Sequence, residues 1–194
     1  MKKTCPVLVF LAMVLVGLAM ISCATTPMSK SEKEQQQDSV RDMANKTLSE
    51  LYLKNPAAKN AISRAAGYAV FSDFGFKFIF MGGAGGSGLA VNNATKQETF
   101  MKMAEFQPGL GFGAAKFRII FIFETLEAFN SFVTSGWEAG ANAMAIAKTQ
   151  GEGGALAGAV TVSKGVKMIQ LNDEGAIVGV SITAAKYYKD KELN

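Results

Sequence analysis

The chain contains no histidine, which removes imidazole from every role it could play: no Ser-His-Asp relay, no His-ligated metal and no imidazole switch near neutral pH can be assembled from it. Cysteine is almost as scarce, with only Cys5 and Cys23 in 194 residues, so a disulfide framework or a Cys-rich metal site has nothing to draw on. No Gly-Lys-Ser/Thr phosphate loop and no acidic loop of calcium-binding spacing occurs. The acids that could form a catalytic pair, Glu105, Glu124, Glu127 and Glu138, are scattered along the chain and read as solvated surface. The sequence therefore supports no catalytic residues, no metal and no cofactor, and points to a non-enzymatic protein.

Charge of one sign is also lacking. There are 20 lysines and arginines against 16 acids, for a net charge of +4. Residues 1–22 hold two of those lysines and no acid, so without them 18 basic residues face 16 acidic ones and the net charge is +2. Neither the balance nor the spacing offers the clustered basic stripe of a nucleic-acid binder, and that class is set aside.

What the N-terminus does have is a leader pattern. Lys2 and Lys3 precede an apolar stretch from Val7 to Ile21, interrupted by Gly17, and the small residues Ser22, Cys23 and Ala24 follow. The apolar run is shorter than the ~20 residues needed to cross a bilayer and opens into polar Thr25–Lys30, which favours cleavage over spanning. Met20-Ile21-Ser22-Cys23 resembles a lipobox, with Met in place of the usual Leu, so residues 1–22 read as a signal peptide and Cys23 as the lipidation site. Acyl chains there, at ~0.8 kcal/mol per buried methylene, would hold the protein in the bacterial envelope on the periplasmic side. Ala24, in place of the aspartate that signals inner-membrane retention, favours the outer membrane.

Residues 23–38 are expected to form the lipidated Cys and a tether, and 39–194 a single domain large enough to bury a core. Val40, Met43, Ala44, Leu48 and Leu51 recur at helical steps, predicting a helix that ends near Lys54. Asn55-Pro56 is a helix start, and Ala57, Ala58, Ala61, Ile62 and Ala65 give the second helix its apolar stripe up to Gly67. Such a hairpin can pack on its own sheet or lie on a membrane.

Beyond Gly67 the texture changes. Glycine and phenylalanine, at 20 and 14 residues, are abundant, and short apolar segments alternate with turn residues. Strands are predicted at 68–72, 76–81, 87–92, 99–106, 111–123, 137–148, 157–171 and 176–184, with turns at Asn92-Asn93, at Gln107-Pro108-Gly109 and at 172–175. A further helix over 124–134 carries Leu126, Phe129 and Val133 on one side and closes at Gly136. The fold class is α+β: an N-terminal helical hairpin on a curled, mainly antiparallel, Gly-rich sheet or barrel-like sandwich, both sides of it covered.

Gly83-Ala84-Gly85-Gly86-Ser87-Gly88 matches the dinucleotide fingerprint letter for letter, but the fingerprint needs a helix to start on its glycines, whereas Leu89-Ala90-Val91 reads as strand. More informative are Lys59, Arg64, Lys77, Lys116 and Arg118, cations set beside apolar or Gly-rich segments. In that setting they can reach lipid headgroups, or stand as solvated charges that guard strand edges.

Five landmarks then fall in order: 65–71 (AAGYAVF), 82–88 (GGAGGSG), 109–116 (GLGFGAAK), Phe121-Ile122-Phe123 with Leu126-Glu127-Ala128-Phe129, and Gly136-Trp137-Glu138-Ala139-Gly140. In this order, over roughly Leu48 to Ile182, the chain resembles the SYLF family, a lipid-binding module of fungal actin-patch proteins and of many bacterial lipoproteins. The resemblance implies binding of phosphoinositide or other anionic lipid through basic residues and an amphipathic N-terminal helix. The actin binding of fungal members is not carried over to an exported protein. Family members often carry Lys-Ala-Gly-Phe where this chain has Phe74-Gly75-Phe76-Lys77, and a basic residue where it has Ala66, which leaves Arg64 as the nearest cation.

Two functional expectations follow. In the first, the domain binds anionic phospholipid or a membrane surface, with Lys59, Arg64, Lys77, Lys116 and Arg118 as headgroup contacts and Val40, Met43, Leu48, Leu51 and Trp137 as apolar interface contacts. In the second it is a periplasmic scaffold or stress-related lipoprotein that binds an envelope protein partner, touching the membrane only through Cys23.

Overall fold

The structure is a computed structural model that describes residues 28–139, 156, 158–172, 174–178 and 184–194; within the strands, the side chains of 73–84, 106–115, 139, 177–178 and 184 lie outside the description. Residues Ser31–Asn194 form one compact unit. Helix α1 spans Lys30–Lys54 and α2 Pro56–Arg64; strands β1 (Gly67–Asn92) and β2 (Glu98–Phe123) follow, then helix α3 (Leu126–Ser135). Strands β3 (Trp137–Ala139), β4 (Ala159–Ser163), β5 (Val166–Asn172), β6 (Ile177–Val178) and β7 (Ala184–Lys189) complete the described elements. All seven strands join one curled antiparallel sheet of order β3-β7-β2-β5-β4, with β1 also on β2 and β6 on β5. The expected α+β class and curled sheet are both present.

The centre of the sheet is a ribbon in which β1 and β2 pair from Gly67↔Phe123 to Val91↔Glu98. Segments expected as separate strands, three in β1 and two in β2, are thus continuous. The turn expected at Gln107-Pro108-Gly109 is instead a bulge, where Ile79↔Gly111 is followed by Met81↔Pro108 and β2 carries one extra residue. Proline has no N–H for the ladder and is tolerated in a strand at such a point. The turn at Asn92-Asn93 is where it was expected: Asn92 accepts from the Ala94 and Thr95 N–H groups at 3.0 Å, and its carbonyl accepts from Lys96 N at 2.8 Å.

The ribbon curls far enough for its ends to meet. About 56 Å of extended chain separates Phe71 from Gly88, yet a Cβ on Gly88 would run into the Phe71 ring. Asn93 N donates to Ala66 O at 3.0 Å, joining the far turn to the start of β1. Gly88 therefore occupies a position where only a residue without a side chain lets the sheet close over its own core.

Alternation sorts the strands into two covered faces. Ala69, Phe71, Ala90, Met101, Met103, Ile119, Phe121, Phe123, Val166, Met168 and Tyr187 share one core cluster with Phe129 and Phe132 of α3. Val70, Ile120, Ile122, Ile169 and Leu171, at intervening positions, are buried on the other face. Helices α1 and α2 are tied to that face. Arg41 pairs with Glu98 at 2.8 Å and stands over the Phe100 ring at 5.1 Å, Glu50 pairs with Arg118 at 2.7 Å, and Asn93 Nδ2 donates to the Ile62 and Ala65 carbonyls at 2.7 and 2.9 Å.

Two further expectations need correction. Residues 30–38, assigned to the tether, are the first turns of α1; Lys, Glu and Gln are good helix formers, but these turns carry no apolar stripe, so periodicity passed over them. They dock on the C-terminal segment, with Gln37 Nε2 donating to Leu193 O at 2.7 Å. The strand expected over 157–171 is β4 and β5, split by a turn at Lys164-Gly165, where Gly165 has φ +71°. Of the strand expected over 176–184, residues 177–178 are β6, Ala184 opens β7, and 179–183 lie outside the described residues. The remainder of 137–148, beyond β3, lies outside the described residues.

Candidate lipid headgroup site

The stripe of α1 positions the helices before any ligand is considered. Val40, Ala44, Leu48 and Leu51 are buried, so the hairpin uses its apolar face for its own fold. This withdraws Val40, Leu48 and Leu51 as membrane-interface contacts: in the folded unit they are only 7%, 8% and 0% exposed. Met43 is half-buried and lines a cleft of about 370 Å³ with Ser39, Ser72, Ser87 and Lys102. The hydrogen bond to Glu192, together with the charge of buried Asp190, holds the Lys102 ammonium above its usual range. Trp137 is half-buried against the core cluster, 5.5 Å from the Phe121 ring and 5.7 Å from Tyr187. It also lines a cleft of about 450 Å³ with Phe123, Phe132, Lys164 and Val166.

The five expected cations do not form one cluster. Arg118 is 7% exposed; its guanidinium donates to Glu50 at 2.7 Å and to the Asn172 carbonyl at 3.2 Å, under the hairpin loop that ends at Gly175. It is an internal tie between β2 and α1, and it leaves the headgroup set for that reason. Lys116 is exposed on β2, about 26 Å of strand from Glu124. Lys59 is exposed on α2. Lys77 pairs in register with Gly113, and its side chain lies outside the described residues.

Arg64 is different, because the fold builds a cleft around it. It sits in the last turn of α2, whose carbonyls are fixed by Asn93, while Ala66 N donates to Phe123 O at 2.8 Å and holds the helix exit against the end of β2. The register Ile122↔Lys167 brings β5 to the same place, and Glu124 N donates to Gly165 O at 2.8 Å. The result is a cleft of about 430 Å³ with walls from Ala57, Ala61, Ala65, Ile122 and Leu156 and polar groups from Asn60, Arg64, Glu124 and Lys167. That volume is in the range of small-ligand sites. Lys167 and Glu124 pair at 2.7 Å, both partly exposed, and Arg64 is exposed with no ion pair among the described residues. Alanine on the cleft face of α2 leaves the space that larger side chains would fill.

Lys167 was not among the expected contacts, although Gly165-Val166-Lys167-Met168-Ile169 carries the signal used for the others, a lone cation in an apolar segment. Chemically the cleft can hold an anionic group between two cations, with apolar walls for whatever is attached to it. Among the described residues no group of three or more acids and cysteines could hold a metal ion. No described helix is long and apolar enough to cross a membrane.

The chain resembles Beta cell expansion factor A of Aeromonas veronii. The two are 32% identical over 156 residues, which is 79% of this chain and 57% of that protein, so the chain spans a little over half the length of the curated relative. No family model matches the chain. The aligned length is too great to be confined to α1 and α2 or to the sheet alone.

Proposed function

We propose that the protein is a non-enzymatic, lipid-anchored bacterial envelope protein whose domain binds anionic phospholipid, with the headgroup in the cleft between α2 and the ends of β2 and β5. The observation that carries the reading is the pairing of Arg64 and Lys167 with apolar walls in one cleft. The α1–α2 corner supports it: Leu53 is 83% exposed, and α2 carries two exposed cations, Lys59 and Arg64, a mixture suited to a bilayer interface. The order of motifs that resembles the SYLF family points the same way, as does the leader ending at Cys23, which would bring the domain to the periplasmic face of a membrane, the outer one by the Ala24 criterion.

The test is flotation of a fragment that begins after Cys23 with vesicles of neutral or phosphatidylglycerol-containing composition. Co-flotation is expected with the anionic vesicles alone, weakening at least tenfold between about 50 and 300 mM salt as screening shortens the reach of Arg64 and Lys167. Absence of flotation at every composition would remove the lipid reading and direct attention to an envelope protein partner.

A further inference from the structure

Resting on that reading, the geometry points to Glu124 as the residue that sets which anion the cleft accepts: a singly charged phosphodiester in preference to a doubly charged phosphomonoester. The cleft holds two cations and one carboxylate, Arg64, Lys167 and Glu124, for a local charge of +1. Glu124 is no bystander, because its carboxylate lies 2.7 Å from the Lys167 ammonium. An ammonium has three donor hydrogens, so Lys167 can keep Glu124 and still donate to one ligand oxygen, while Arg64 supplies further donors. A phosphodiester, with one negative charge, neutralises the cleft. A phosphomonoester carries about −1.5 to −2 at neutral pH, and taking its second charge out of water costs more than a cleft of net +1 returns, because Glu124 cancels one of the two cations.

The backbone of Glu124 is held in place, and its carboxylate is held by the pair with Lys167. Glu124 directly follows the last residue of β2, its N–H bonds Gly165 O across to the β4–β5 turn, and its partner Lys167 stands opposite Ile122 in the ladder. Carboxylate and lysine thus come from the end of β2 and from its paired strand β5, and both line the same cleft. Removing the carboxylate's charge raises the local charge to +2 and removes the repulsion of a second ligand charge.

The experiment titrates the full chain and its Glu124→Gln variant by calorimetry at pH 7.5 and low salt. The probes are water-soluble dihexanoyl phosphatidylglycerol, dihexanoyl phosphatidic acid, and glycerophosphoglycerol, the diester without acyl chains. The wild type is expected to favour the phosphatidylglycerol, and Glu124→Gln to bind phosphatidic acid about tenfold more tightly than the wild type does, erasing or reversing the preference. A ratio between the two lipids unchanged by Glu124→Gln, or a wild type that favours phosphatidic acid, overturns the inference while leaving the lipid reading intact. Binding of neither lipid by the wild type overturns the lipid reading itself. Glycerophosphoglycerol bound as tightly as its dihexanoyl form identifies the phosphodiester alone as the ligand; weaker binding assigns a share to the apolar walls.

Discussion

Truncation of Phe121 to alanine is expected to lower the free energy of unfolding by about 3–5 kcal/mol. Phe121 is fully buried and joins five elements: its ring meets Phe71 of β1 at 6.0 Å, Phe123 of its own strand at 6.3 Å, Phe132 of α3 at 5.4 Å, Trp137 of β3 at 5.5 Å and Tyr187 of β7 at 5.0 Å. Most of these are edge-to-face or tilted, the geometry in which aromatic pairs contribute beyond their buried area. Elements so interlocked cannot collapse into the space a benzyl group leaves. Urea denaturation followed by the fluorescence of Trp137, the only tryptophan of the chain, measures the loss where it arises. Phe121→Leu, which keeps most of the volume, should cost clearly less. A loss below about 1 kcal/mol for the alanine variant would show that the cluster is not the core of the fold.

The second large effect is expected at Arg118. Substitution by methionine should destabilise by about 3 kcal/mol, because it leaves Glu50 without its counter-charge in a site that is only partly solvated. Glu50 keeps some access to water, which holds the figure at the lower end for broken internal pairs. Gly175, at φ +72°, lies so close to both side chains that a Cβ there would meet Glu50 Oε2 at 2.5 Å and Arg118 Nη2 at 3.3 Å, so little room exists for rearrangement. Replacing both charges, as in Glu50→Leu with Arg118→Met, should recover a large part of the loss. A double variant whose loss equals the sum of the single losses would show that the two charges are not coupled.

The contrast between Arg118 and Arg64 shows where sequence reasoning stops. In the sequence both are single cations in an apolar context. What separates them is a residue remote in the chain: Glu50 of α1 internalises Arg118, while Asn93 of the β1–β2 turn fixes the end of α2 and leaves Arg64 facing a cleft. Such pairings depend on the curl of the sheet, and no local pattern carries them. The helices themselves were legible, because the α1 stripe, Asn55-Pro56 and the spacing of Leu126, Phe129 and Val133 before Gly136 are local signals. The length of β1 and β2 was not, because glycine and proline read as strand breaks when no partner is in view; here each strand supports the other through the bulge at Pro108. The last strand did leave a trace, since Ala185 and Tyr187 are buried and Lys186 and Tyr188 exposed, a period of two within the final residues. Of the cleft between α2, β2 and β5, Arg64 was visible, and Lys167 carried the same signal but became distinctive only once β5 was placed against β2.

The central claim is that Arg64 and Lys167 together make the anion site. It is tested most directly by flotation of the fragment that begins after Cys23, comparing the wild type with the double variant Arg64→Glu, Lys167→Glu on phosphatidylglycerol-containing vesicles. Each near-surface cation is worth about 1 kcal/mol at an anionic bilayer and its reversal adds repulsion of similar size, so vesicle affinity should fall about 100-fold or more, with circular dichroism unchanged and urea stability lowered by only about 1 kcal/mol for the lost Lys167–Glu124 pair. Wild-type flotation by a folded double variant would contradict the assignment of the cleft.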